Sequence, residues 1–388
     1  MNILYIGAFP PAFLVKRSDG KIDSLYRASE SIVSGLRCQE GADVKVITSP
    51  DVASWPKGPF YIRCEYSESE DLTLVSSLNI SILKQIWTIV SMAKEASRVI
   101  RKSDGPVVVI IPYIVFRHVF TLRLLKRMYP KKVVQACVVP DIFFPKNWLL
   151  KMVNQLTEKM ASHFDAFLLY TEKMAEHLHI TGGHYEVLEG YREVSDRQPE
   201  CSDDFRVVYA GSLNLNYGIG RLIDAMGLIN DPEVQLHLYG AGTGENYIKA
   251  ACKNDKRIYF YGRVPNADAF DAIYKATVLI NPRNANDGKY TEYSFPSKNI
   301  EYMATGIPTL LCRLPGMPKE YWGHFIDMGD GEPKQIAEAI QRTKAMNQSV
   351  RDEIGQKARE FIVERMDCRK QGQRIIELFH RIINTKQS

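Results

Sequence analysis

Several chemistries are closed to this chain by what it does not contain. Its seven cysteines, at positions 38, 64, 137, 201, 252, 312 and 368, include no CxxC pair. An odd, scattered set makes neither a zinc site nor a disulfide framework and suits a reducing compartment. There is no GxSxG elbow, no HExxH helix and no Walker lysine loop, so serine-hydrolase, zinc-peptidase and P-loop chemistry have no motif to stand on. No pair of carboxylates sits at a motif spacing that suggests a double-displacement hydrolase. The longest apolar run, from Pro106 to Phe116, is broken by Pro112 and ends at Arg117, well short of a membrane span. Met1 to Gly7 lacks the length and basic start of a signal peptide and reads as a first buried strand. Low-complexity segments and internal repeats are absent. A formal charge of +5 is too mild for a nucleic-acid binder, although it is compatible with anionic lipid or a phosphorylated substrate. The expectation is a cytoplasmic protein able to touch the inner face of a membrane.

What is present is an ordinary globular composition, 45% hydrophobic and 24% charged, over 388 residues. At ~150 residues per domain, that length predicts two domains, each with its own core. Residues 1–195 alternate apolar strands, at 3–6, 44–48, 107–111, 133–139, 166–170 and 185–188, with amphipathic helices. The helices are expected near 24–38, 82–101, 119–128, 148–162 and 172–178. Such alternation implies parallel strands joined by crossover helices, a doubly wound α/β domain. Residues 191–204, charged and holding Pro199, read as a linker. A second series follows, with strands at 205–211, 234–239, 258–261, 277–281, 309–312 and 324–327, and from Pro333 to Ile383 the chain reads as nearly all helical.

The stretch that organises the rest runs from Asp287 to Pro318. Ahead of it, Ala276 to Pro282 reads as a buried strand ending at the proline. After a polar loop, Phe295-Pro296-Ser297 opens a helix over 297–305, and Gly306 stops it. Ser297 is placed to accept from orphan N–H groups, and Gly306 to take the left-handed conformation. A helix start at the C-terminal edge of a parallel sheet suits a phosphate. Lys298 opposes the helix dipole in the first turn, so a bound anion would account for it, and Glu301 shares its face. Arg283, just after Asn281-Pro282, can aim its planar fork at phosphate oxygens or pair with Asp287 or Glu292. Gly211, ending the second domain's first strand, lets backbone approach a phosphate closely, as many tight turns do.

The string FPSKNIEYMATGIPTL, preceded by LINPR and followed by GMPKEY, resembles the donor-binding segment of glycosyltransferase family 4. These are the retaining group 1 transferases of GT-B fold, and the likeness is greatest to the branch found in capsule and exopolysaccharide gene sets. The resemblance implies two Rossmann-like domains facing a cleft. Residues 1–195 would bind the acceptor and residues 205–368 the nucleotide-sugar donor, with a C-terminal helix, 369–388, crossing back to the first domain. It implies a metal-independent enzyme that moves a sugar, with retention, from a nucleoside-diphosphate sugar to a glycan or lipid-linked glycan in bacterial surface polysaccharide synthesis. No cofactor is expected, because the nucleotide sugar is a substrate. Nor is a metal, because the chain has no Asp-x-Asp: Val52 follows Asp51, and Asp203-Asp204 are adjacent.

Residue by residue, the likeness gives Lys298 and Arg283 the departing diphosphate and Glu301 the ribose hydroxyls. Phe295, Pro296 and Ser297 open the helix, and Asn281 ends the strand before it. Gly240 and Gly242 correspond to glycines lining the nucleotide pocket, or are turn glycines needing positive φ. Arg263 falls in the segment that reads the base. The family usually has an arginine just after the glycine turn and a lysine just before the next helix; Ser212 and Tyr217 stand in those places. Tyr293 replaces the first of two glutamates eight positions apart, with Glu292 beside it. In the first domain, Gly7 and Phe9 match a glycine-bearing loop on the acceptor side. Asp141 is the polar group near the sugar or acceptor where relatives carry a histidine, or an ordinary turn aspartate. The departures leave open a non-catalytic nucleotide-binding partner subunit, and the fold alone leaves open another reaction, that of a sugar-nucleotide epimerase or a phosphorylase. Ile142 to Val153, aromatic and basic, either seats in a membrane interface or packs its apolar stripe on the sheet.

Overall fold

The computed structural model describes residues 1–7, 9, 24–49, 52–181, 183–188, 195–200 and 204–387. Ala8, Asp51 and most of the expected linker, at 191–194 and 201–203, lie outside them. Two units divide the chain: residues 1–191 with 368–388, and residues 192–367.

The first unit runs β1 (Asn2–Gly7), α1 (Ser24–Arg37), β2 (Asp43–Thr48), β3 (Tyr61–Ile62), β4 (Glu65–Ser67), β5 (Leu72–Leu74), β6 (Ser77–Leu78), α2 (Ser81–Lys102) and β7 (Val107–Pro112). It continues with α3 (Phe116–Met128), β8 (Val133–Val139), α4 (Trp148–Ala161), β9 (Ala166–Leu169), α5 (Glu172–His177) and β10 (Tyr185–Val187). Eight strands form one sheet in the order β10-β9-β8-β7-β1-β2-β5-β4. All pairings are parallel except β4 with β5. Every side chain of β7 and β8 is buried, which is why these strands read as apolar runs and not as alternations, interrupted in β8 only by the buried Gln135. Strands β3 to β6 were not foreseen; at two or three residues each, they are too short to carry a period.

The second unit runs β11 (Phe205–Ala210), α6 (Ile219–Gly227), β12 (Val234–Tyr239), α7 (Glu245–Asn254), β13 (Ile258–Gly262), α8 (Asn266–Tyr274) and β14 (Val278–Asn281). Then come α9 (Ser297–Met303), β15 (Thr309–Leu311), β16 (Ile326–Asp327), α10 (Pro333–Ala345) and α11 (Gln348–Met366). Its six strands are all parallel, ordered β13-β12-β11-β14-β15-β16. The order reverses between β11 and β14, and in open parallel sheets that switch point, at the strands' C-terminal ends, is where ligands bind. The last helix, α12 (Cys368–Gln387), belongs to the first unit, where it packs along α1, β9 and β10 and buries Ile375, Leu378, Phe379 and Ile382.

Candidate functional site

At the switch point of the second unit, three loops meet. They follow β11, β12 and β14, and α9 stands over them. Three buried bonds fix α9 in place. The Ala210 amide donates to the Tyr302 hydroxyl at 2.8 Å, and that hydroxyl donates to the Ala210 carbonyl at 3.2 Å. One turn earlier, Asn281 at the end of β14 donates to Asn299 at 2.6 Å. The side-chain oxygen of Asn281, Oδ1, is buried with no hydrogen-bond partner among the described residues. The helix is shorter than expected, ending at Met303, and Gly306 beyond it takes the left-handed conformation at φ +83°. Its N-cap is Pro296 and not Ser297, and no side chain caps it; Ser297 is the first helical residue and exposed.

Lys298 leaves the first turn of α9 and lays its stem across Gly211. A Cβ at Gly211 would come 2.5 Å from Lys298 Cε. The missing side chain of Gly211 thus makes room for a lysine, where the sequence suggested room for a phosphate. The ammonium lies 3.8 Å from the Glu301 carboxylate and 5.2 and 6.0 Å from the ring centres of Tyr302 and Tyr209. Lys298 and Glu301 therefore share one face, as their spacing required, and the lysine's charge is partly balanced by its own helix.

Arg283 follows β14, and its guanidinium lies 3.9 Å over the ring of Tyr217. It does not pair with Asp287, one of the two carboxylates considered for it. Asp287 is held at 2.6 Å by Arg221 from α6, which also donates to the carbonyls of Pro282 and Gly331. Asn284 and Asp287 close a capping box in the same loop, and Asn284 also donates to the Asp330 carbonyl. Arg221 and Asn284 carried no motif and were missed; both brace the loop that presents Arg283. Tyr209 sits between the two cations. Burial pushes its phenol up to about 12, offset in part by Arg283, and its hydroxyl donates to the Ser212 carbonyl at 2.9 Å. Tyr290 lies edge-on to Tyr217, and its buried hydroxyl has no hydrogen-bond partner among the described residues.

The remaining sequence candidates of this unit are arranged around that centre. Gly240, at φ +132°, faces the Gly211 carbonyl so closely that any Cβ would collide with it, and Gly242 abuts the backbone of Leu213. Both glycines serve the packing of one loop on another. Ser212 is exposed and accepts from Asn214 at 2.8 Å. Phe295 is buried against Tyr321, and Pro296 is buried beside it. Glu292 is half-buried at the end of a 3-10 turn whose carbonyls pack on Gly316. Arg263 is exposed, one residue beyond β13.

Gly7, Phe9 and Asp141 lie in the first unit, at the C-terminal edge of its sheet. The ring of Pro112 fills the space beside Gly7. Phe9 is buried and bonded through its backbone to Thr48. Asp141 is exposed and accepts from the amide of Ile142 at 2.9 Å. Sequence reasoning passed over Tyr113 at this edge. It stands at φ +67°, a conformation costing about 1–3 kcal/mol for a bulky residue, and burial raises its phenol, with Tyr170 and Asp141 adding to the shift.

Among the described residues, no group of three or more His, Cys, Asp or Glu side chains is placed to share a metal ion. Comparison with known proteins gives the fold its family setting. Residues 204–345 match the family model described as Glycosyl transferases group 1. No curated protein matches the chain. Among solved structures, HepE of Anabaena, crystallised with UDP, superposes with a TM-score of 0.68 at 13% identity, covering 98% of this chain and 100% of that one. Sucrose-phosphate synthase from Thermosynechococcus elongatus gives 0.67 at 16% identity, over 98% and 100% of the two chains. The lipopolysaccharide outer core galactosyltransferase WaaB gives 0.62 at 13%, over the whole of both. The chain therefore has the GT-B fold, and residues 204–345 of its second unit carry the match to group 1 glycosyl transferases.

Proposed function

We propose that the protein is a retaining glycosyltransferase of family 4. It moves a sugar from a nucleoside-diphosphate donor to a glycan or lipid-linked glycan, in bacterial surface polysaccharide synthesis, at the inner face of the cell membrane. The observation that carries the reading is the pair of cations at the switch point, Lys298 over Gly211 and Arg283 over Tyr217, inside the segment matched to group 1 transferases. A diphosphate gains charge as the sugar departs, and fixed cations in a dry site stabilise that charge more than they stabilise the intact donor. Glu301 accepts from the ribose hydroxyls, Gly211 and Ser212 lie along the diphosphate, and Arg263 stands at the base end. The second unit takes the donor, and the first takes the acceptor, with Asp141 as its polar group. The UDP held by the Anabaena protein supports a nucleoside diphosphate as the leaving group. The helix dipole contributes little here, because α9 has only seven residues.

A non-catalytic nucleotide-binding subunit is the second reading, favoured by Ser212 and Tyr217 standing where relatives carry basic residues. Arg283 weakens it by bringing a cation over Tyr217 from another strand end. The test is a thermal-shift screen of nucleoside diphosphates, followed by transfer assays on lipid-linked acceptors with and without EDTA. A ligand at a hundred times its dissociation constant adds about 2.7 kcal/mol of stability. Stabilisation with EDTA-resistant transfer is the expected result. Stabilisation without transfer selects the subunit reading, and no response to any nucleoside diphosphate overturns both. Transfer that needs a divalent ion overturns charge neutralisation by Lys298 and Arg283.

A further inference from the structure

Helix α4 is amphipathic in the inverted sense. Trp148, Leu149, Met152, Val153 and Leu156 recur at the spacing of one helical face, and all of them are exposed, Trp148 at 74% and Leu156 at 55%. The inward face carries Thr157 and Ala161, with Asn154 and Glu158 half-buried beside them. Asn154 donates to Glu158 at 2.8 Å and to the Phe143 carbonyl at 3.2 Å, and Glu158 lies 3.6 Å from His177. A helix that packed its apolar stripe on the sheet would show the reverse arrangement. The turn before it is equally well held. Asn147 caps the helix by accepting from the amides of Leu149 and Leu150, and Phe143 stands 64% exposed just ahead.

The charges follow the same division. Between residues 143 and 160 the exposed ionic side chains are Lys146, Lys151 and Lys159, and the single acid, Glu158, is turned inward. Neighbouring α3 contains four basic residues and no acidic one, and it exposes Phe116 and Phe120, stacked with ring centres 5.7 Å apart. Both helices begin at the C-terminal edge of the first unit's sheet, the edge that holds Gly7, Tyr113 and Asp141. Among the described residues no helix is long and apolar enough to cross a membrane.

We propose that this face of α4, with the adjoining turn and the start of α3, is a docking surface for the anionic headgroup layer of a bilayer. Large apolar and aromatic groups interleaved with lysines, on a helix too short and too charged to span, match the chemistry of an interfacial helix. The basic residues gain further from anionic lipid. A second copy of the chain is the poorer occupant, since a two-fold interface would bring this lysine-rich face against itself. Docking sets the ligand edge of the first unit beside the lipid. The inference stands apart from the transfer reading, because vesicle binding needs neither donor nor turnover.

The test is co-sedimentation of the full chain with vesicles of phosphatidylcholine alone or mixed with phosphatidylglycerol. It uses wild type, the double variant Trp148→Glu/Met152→Glu, and Val363→Glu, an exposed apolar position on α11, as control. Every substituted side chain is exposed, so unchanged melting temperatures are expected and verify folding. The expected result is binding to the mixed vesicles that weakens with added salt. Affinity should fall on the order of tenfold or more in the double variant and stay unchanged in the control. Absence of binding, equal binding to both vesicle types, or full binding by the double variant overturns the proposal. Self-association that the double variant abolishes, without vesicle binding, assigns the face to a second copy and also overturns it.

Discussion

Lys298 has two roles that substitution can separate: its stem fills the space over Gly211, and its ammonium supplies charge. Lys298→Met keeps the stem and removes the charge. The transfer rate should fall a hundred- to thousandfold, about 2.7–4 kcal/mol, while donor binding and melting temperature change far less. Normal turnover in this variant would move the diphosphate to another group. Gly211→Ala should mimic it, because the new Cβ comes nearest the flexible end of the lysine, at 2.5 Å, and pushes it aside, while the Tyr209 hydroxyl at 3.3 Å has to give only slightly. Gly240→Ala is different in kind. There the obstacle is the Gly211 backbone, at a left-handed φ, so folding should lose about 1–3 kcal/mol or more; an unshifted melting temperature would contradict that geometry. Glu301→Gln should weaken nucleoside-diphosphate binding by about 1.5–3 kcal/mol, read by titration calorimetry, since it replaces a carboxylate acceptor of the ribose hydroxyls. Unchanged affinity would exclude Glu301 from the ribose.

At the scale of the element, α3 holds a buried histidine in its first turn. His118 Nδ1–H donates to the Pro112 carbonyl at 3.3 Å, and Arg117 Nε donates to its Nε2 at 3.3 Å, so the ring is held neutral. Burial, reinforced by Arg117, lowers its pKa from 6.5 to about 3. The folded state therefore refuses a proton that the unfolded chain accepts below 6.5. Native stability from this source is complete above pH 6.5 and is lost as pH falls toward 3. Urea midpoints of wild type should drop more steeply than those of His118→Gln as pH is lowered from about 6.5 to about 4. Parallel slopes would mean that the ring takes up its proton without cost.

For the whole molecule, the telling element is α12, which is last in sequence yet packs in the first unit. Phe379 is fully buried there, and Gly372 crosses α1 where any Cβ would strike the Gly35 carbonyl. Phe379→Ala should cost about 3–5 kcal/mol. Hydrogen exchange should show protection lost in α1, β9 and β10 but kept in β11 and β12. Equal losses in both units would show that the helix stabilises them as one.

Period, glycine punctuation and length were enough to read two doubly wound units. Central strands such as β7 and β8 are buried on both faces, and that environment writes itself as Val-rich runs without alternation, VVVIIP and VVQACVV. The group 1 signature in 295–310 was likewise legible, because one short helix carries Lys298, Glu301, Asn299 and Tyr302 at fixed spacing. What the sequence could not decide were contacts between segments distant along the chain. That Gly211 makes room for Lys298, that Arg221 takes Asp287 and so leaves Arg283 to Tyr217, and that Gly240 seats one loop on another are facts of close approach across the sheet edge. The orientation of α4 was undecided for a related reason. An amphipathic pattern fixes which residues share a face, but only packing determines whether that face turns inward or to solvent, and here the partly polar side, with Asn154, Thr157 and Glu158, turns toward the protein.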